Sequence, residues 1–239
     1  MASTQTGALT KNFGMARVLA LSGIAFAVLL VLGWFLSGGD TPDYTAADEV
    51  WIDWAESNRS RSGIGAFLIL LAGFVFLHFA GTIRSVFERA EATVRGSVQL
   101  AHVAFAGAIT GIVGITMAIV IIGAATSVGA DADPLVSRAV ATASAGPYLV
   151  AAMGFAALLG AAGVLTLQTG VFARWTGIVA LIGAVAFLIT SMTLLAGTDQ
   201  DSWAGYGFLP GILSLAIWSI ATSAARYRAV TNPATPTSG

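Results

Sequence analysis

Residues 63–83 read GIGAFLILLAGFVFLHFAGTI, a run without a single Asp, Glu, Lys or Arg. Arg61 stands just before it and Arg84 just after it. The apolar residues are continuous rather than alternating, which separates the run from a half-buried strand. A helix needs about 20 mostly apolar residues to cross the hydrocarbon of a bilayer. Helices also satisfy their own backbone groups, which lipid cannot do. The run is therefore predicted to be a transmembrane helix.

The same reading finds five further charge-free windows, at roughly 18–38, 98–124, 146–168, 175–196 and 204–225. Composition agrees with six spans. The chain is 56% hydrophobic and 10% charged, and its mean hydropathy is +0.84, whereas soluble domains carry about 25% charged residues. The predicted fold is an all-α, six-helix transmembrane bundle forming one membrane domain over 11–228. Residues 1–10 and 229–239 are polar, with too little apolar surface to order themselves, and are expected to be disordered tails. The first span exceeds the usual h-region of a signal peptide and is expected to remain as an anchor.

Charge orients the bundle. With the N-terminus in the cytoplasm, Lys11, Arg17, Arg84, Arg89, Arg95, Arg174, Arg226 and Arg228 fall inside, and Arg59, Arg61 and Arg138 outside. That is the positive-inside pattern of a multi-pass protein of a bacterial cytoplasmic membrane, with both termini cytoplasmic. Ten of the twelve acids lie outside, all except Glu88 and Glu91.

Residues 45–62, TAADEVWIDWAESNRSRS, form the first outer loop. Thr45 and Asp48 have the spacing of a capping box that opens a helix, with Asp48 and Glu49 in its first turn. On this short amphipathic helix Ala47, Trp51, Trp54 and Ala55 share a face, which is expected to lie in the headgroup region. Trp51, Trp54, Asp53, Arg59 and Arg61 are the predicted partner or lipid contacts, with Arg59 and Arg61 expected to pair with neighbouring acids.

The first inner connection, HFAGTIRSVFERAEATVRGSVQLAH at 78–102, begins and ends on the only two histidines. Arg84 with Glu88 and Glu91 with Arg95 are i,i+4 pairs, so the second helix should continue past the membrane and turn near Gly96. At 1.5 Å per residue, His78 and His102 fall at matched depths of about 9–10 Å inside the inner boundary. Two facing histidines at one depth are the axial ligands that a haem b requires. A divalent metal would need more ligands, and no span carries a carboxylate or cysteine to supply them.

Absent residues narrow the function classes. Charge-free spans argue against proton relays, voltage sensors and proton-driven antiport. There is no intramembrane lysine for a retinal Schiff base, no cysteine, no Walker loop and no HExxH. A serine–histidine dyad of His78 or His102 with Ser191 or Ser214 is arithmetically available but unselected by spacing. Gly107, Gly111 and Gly114, Gly207 and Gly211, and Ala156 and Gly160 have the small-residue spacing of close helix contacts, within the chain or at a homo-oligomer face. Pro210 in GYGFLPG predicts a kink or short unwound segment in the outer third of the sixth span. No nucleic-acid partner is expected.

DEVWIDWAESNRSRSGIGAFLILLAGFVFLHFAGTIR at 48–84 and the Arg174, Trp175, Gly177 step in GVFARWTGIVALIGAVAFLI resemble a group of uncharacterised six-span membrane proteins frequent in actinobacteria. The resemblance covers most of the chain and implies the same six-span fold. His78 departs from it, since the group commonly carries tryptophan there. The chain thus reads first as a non-enzymatic accessory or ligand- and partner-binding bundle with an acidic, aromatic outer face. The alternative is a haem-binding electron-transfer protein on His78 and His102, or a small-molecule transporter.

Overall fold

In a hydrocarbon solvent the residues that distinguish inside from outside are the small and the aromatic ones, because lipid gives long aliphatic side chains no reason to turn inward. That rule organises the computed structural model, which describes residues 3–37, 42, 46–129, 134–193 and 207–232, with side chains from residue 14 onward except at 128 and 129. The helices are α1 (Ser3–Leu36), α2 (Asp48–Arg95), α3 (Gln99–Gly129), α4 (Pro134–Ala143), α5 (Ala145–Thr169), α6 (Arg174–Ser191) and α7 (Phe208–Thr231). No strand occurs among the described residues. Six helical stretches are long and apolar enough to cross a membrane.

The spans pack in chain order as a ring: α1 on α2, α2 on α3, α3 on α5, α5 on α6, α6 on α7, and α7 back against α1. Aromatic side chains fill the axis. Phe26 meets Phe76 at 4.4 Å between centroids, Phe79 meets Trp218 at 5.6 Å, and Phe155 meets Phe187 at 5.4 Å. All six are buried. Phe187 continues the column to Phe208 and, through it, to Trp34 and Tyr148 near the acidic end. The outer surface carries Val28, Leu32, Phe67, Phe74, Met117, Ile182 and Leu213, all exposed. Such an apolar exterior suits lipid and not water.

The small-residue motifs act inside the chain. A Cβ added at Gly154 would collide with the Gly111 backbone nitrogen, so the α3 and α5 backbones touch. Gly207 and Gly211 abut Ala186 and Phe187 of α6 in the same way. These small-residue positions thus pack helix against helix within one molecule.

Four expectations are corrected. The outer helix is not a separate element: α2 runs unbroken for 48 residues from the acidic segment through the membrane span to the arginine segment. Its N-cap is Ala47, without a side-chain hydrogen bond, in place of a Thr45 capping box, and Thr45 lies outside the described residues. Pro210 causes no kink, because α7 starts at Phe208 and leaves the proline in the first turn, where backbone N–H groups have no intrahelical partner anyway. α1 is already helical at Ser3, within the stretch expected to be a tail. At the other end α7 continues to Thr231. The ten-residue α4 was not foreseen, although Pro134 at its first position and the buried pair Ser137 and Ala141 are helix signals.

Turns at the arginine end follow from glycine. Gly96 and Gly170 both adopt φ 66° and close α2 and α5. Their N–H groups donate to Ala92 O and Thr166 O, the usual left-handed ending.

Candidate functional site

One stripe of buried residues descends the whole of α2, and its two ends carry the polar structure of the protein. At the acidic end the stripe begins with Trp51, Trp54 and Ala55, packed with Ile119, Ile122 and Ala125 of α3 and Ala141 of α4. Trp51 is 0% exposed. The tryptophan side chains are therefore not exposed to headgroups as expected, because α3 and α4 cover them. Arg138 of α4 locks the arrangement. It donates to Asp48 Oδ1 at 2.7 Å and to the Ala46 carbonyl at 2.8 Å, with its guanidinium 5.9 Å from the Trp51 ring.

Opposite the tryptophans, Glu49, Asp53 and Glu56 are exposed. Their i, i+4, i+7 spacing places them on one face of the helix. Among the described residues Arg61 forms no ion pair, and it donates to the Phe35 carbonyl at 2.5 Å; Asp40 and Asp43 lie outside the described residues. Ser62 donates to the Ser37 carbonyl at 3.0 Å. Together they satisfy carbonyls at the C-terminal end of α1, where the macrodipole favours a cation. Arg59 is exposed on the same segment.

At the arginine end the stripe runs through Phe79, Ile83 and Phe87 to Glu91, which is 0% exposed. Its carboxylate reaches the start of α3, where Oε1 accepts from the Leu100 N–H at 3.0 Å and Oε2 from the Ala101 N–H at 2.9 Å. Glu91 is thus an anionic cap for α3 supplied by another helix. The expected Glu91–Arg95 pair does not form, because the two residues' surroundings differ: Glu91 faces the bundle and Arg95 is exposed. Arg84 and Glu88 do pair, Nε to Oε1 at 2.6 Å, and the Arg84 guanidinium lies 4.8 Å from the Phe105 ring. Arg226 of α7 donates to the Thr82 carbonyl at 2.7 Å, tying the last helix to the second.

The two histidines are not brought together. His102 Nε2 lies 3.4 Å from Glu88 Oε1. Glu88 is ten residues beyond His78 on α2, a rise of about 15 Å. His78 is exposed, sits edge-on to Phe74 at 5.1 Å, and borders a surface groove with Met15, Val18 and Ser22 of α1. Two axial ligands of one iron cannot be made from residues so placed, and the pair does not fit haem b. Ser191 bonds back to the Phe187 carbonyl at 2.9 Å and Ser214 packs against Gly183, so neither forms a dyad with a histidine.

Within the bundle a cavity of about 10 Å³ lies between Phe79, Phe87, Ala108 and Trp218, and the buried Trp218 Nε1 has no hydrogen-bond partner. That is room for one water molecule. Among the described residues no group of three or more His, Asp or Glu is placed to hold a metal. Compared with known protein families, curated proteins and solved structures, the chain matches none.

Proposed function

We propose that this chain is a non-enzymatic accessory protein of the actinobacterial type that its motifs resemble. In this reading it sits in the cytoplasmic membrane with the arginine end inside, and binds a membrane or extracytoplasmic partner through the acidic ridge of α2. The reading rests on one observation: the ridge is the outer face of a continuous helix whose opposite face is braced by α4, so Glu49, Asp53 and Glu56 are held in place before any partner arrives. Preorganisation lowers the entropic cost of association. Three carboxylates on one face select a cationic partner segment and speed its encounter. Trp51 and Trp54 face inward, so recognition is assigned to charge. The haem and transporter readings gain nothing from the separated histidines or from a proline in a first turn.

The test is copurification from native membranes with the full chain carrying Glu49→Lys, Asp53→Lys and Glu56→Lys together. Loss of a stoichiometric partner that the parent chain retains, with unchanged folding, is the expected result. A purified parent chain with a Soret band that vanishes in His102→Ala would overturn the reading in favour of haem.

A further inference from the structure

The arginine end holds two acids, and both are engaged: Glu88 with Arg84 and His102, and Glu91 with the start of α3. Arg174 and Arg228 are exposed, and among the described residues no other Asp or Glu at this end is left to neutralise them. Arg228 stands at the polar end of a groove on the lipid-facing surface between the first turn of α6 and the last turns of α7. Ala221, Ala224 and Ala225 form its floor, and Trp175, Ile217 and Ile220 its walls. The groove measures about 390 Å³, within the range of about 300–1,000 Å³ typical of ligand sites.

From Ile217 to Arg228 the lining is eleven residues of helix, a length of about 16 Å. It is apolar until the guanidinium. The walls remain open, with Trp175 at 52% and Ile217 at 48% exposed. At this end α6 begins at Arg174, and its N-cap Ala173 offers no side-chain hydrogen bond, so the first-turn N–H groups, on the same groove as Arg228, add to the positive potential there.

We propose that this groove binds one anionic phospholipid from the leaflet at the arginine end. Its acyl chain lies along Ala221, Ala224 and Ala225, and its phosphate meets Arg228 and the first turn of α6. The apolar length takes the chain. The unneutralised guanidinium selects a net negative headgroup over one that brings its own cation.

The full chain is reconstituted in phosphatidylcholine vesicles containing a minor fraction of brominated-acyl phosphatidylglycerol or brominated-acyl phosphatidylcholine. Quenching of Trp175 is isolated by difference against Trp175→Phe. The anionic lipid is expected to associate about fivefold more strongly, the size of effect that one arginine near a membrane surface produces. Arg228→Gln should reduce that preference to twofold or less, while Arg17→Gln, at the same end but off the groove, keeps it. Ala224→Phe fills the floor and should lower quenching by both lipids, a readout that does not depend on the arginine variant folding. Equal quenching by the two headgroups, or a preference that survives Arg228→Gln, would overturn the assignment.

Discussion

Glu91 is the residue on which the arginine end turns. A carboxylate with no solvent exposure costs several kcal/mol to bury without partners. It is tolerated because two backbone N–H groups of α3 point at it. Spacing could not distinguish this role from an ordinary pair with Arg95, since both begin from the same i,i+4 arithmetic. The signal was present elsewhere: Glu91 continues the buried series Phe79, Ile83 and Phe87 at four-residue steps. Hydrogen bonds to charged groups contribute about 1.5–3 kcal/mol, so Glu91→Ala is expected to destabilise the fold by about 3 kcal/mol. In a thermal scan in detergent that corresponds to a midpoint lower by about 6–12 °C. Arg95→Ala, at an exposed position, should stay within about 0.5 kcal/mol. Equal effects of the two substitutions would show that the i,i+4 pair, and not the α3 cap, carries the stability.

At the scale of elements, α2 is the organising unit. Its span, its stop at Gly96 and the Arg84–Glu88 pair were legible, because each rests on local rules: freedom from charge, a left-handed cap and helical spacing. Its continuity through residues 48–62 was not legible. An amphipathic segment next to a span reads equally well as a helix lying on the membrane, and only α4 packing over Trp51 decides between them. The chain has no cysteine, so spin labels at Asp53→Cys and Arg89→Cys are unique. Thirty-six residues of straight helix separate them by about 54 Å. An outer segment bent at a right angle near residue 62 would shorten that to about 43 Å by the same rise. A narrow distance distribution near the longer value is expected, and one centred near the shorter value would refute a continuous α2.

The α3–α5 contact makes a second claim at this scale. Gly154 lies against the backbone of α3, whereas a Cβ at Gly81 would meet nothing within 4 Å. Overpacking costs about 1–3 kcal/mol, occasionally more. Gly154→Leu should therefore cost at least about 3 kcal/mol or abolish folded yield, and Gly81→Leu should leave detergent stability unchanged.

For the whole molecule, six charge-free helices were readable because hydrocarbon punishes charge wherever it enters, so the sequence must show where each span begins and ends. The ring order and its aromatic axis were not, since Phe26, Phe76 and Phe155 resemble lipid-facing phenylalanines such as Phe67 and Phe74 until the helices are packed. The candidate site was read less well than the fold. Its histidines are separated, and of its expected outer contacts Trp51 and Trp54 are buried while Asp53 is exposed. The molecule is polar along one axis, with an acidic ridge at one end of α2 and an arginine cluster at the other. A membrane-impermeant thiol reagent applied to intact cells carrying Asp53→Cys or Arg89→Cys tests that axis directly. Labelling of residue 53 in intact cells, and of residue 89 only after permeabilisation, is the expected result; labelling of residue 89 from outside, or of both from one side, would contradict it.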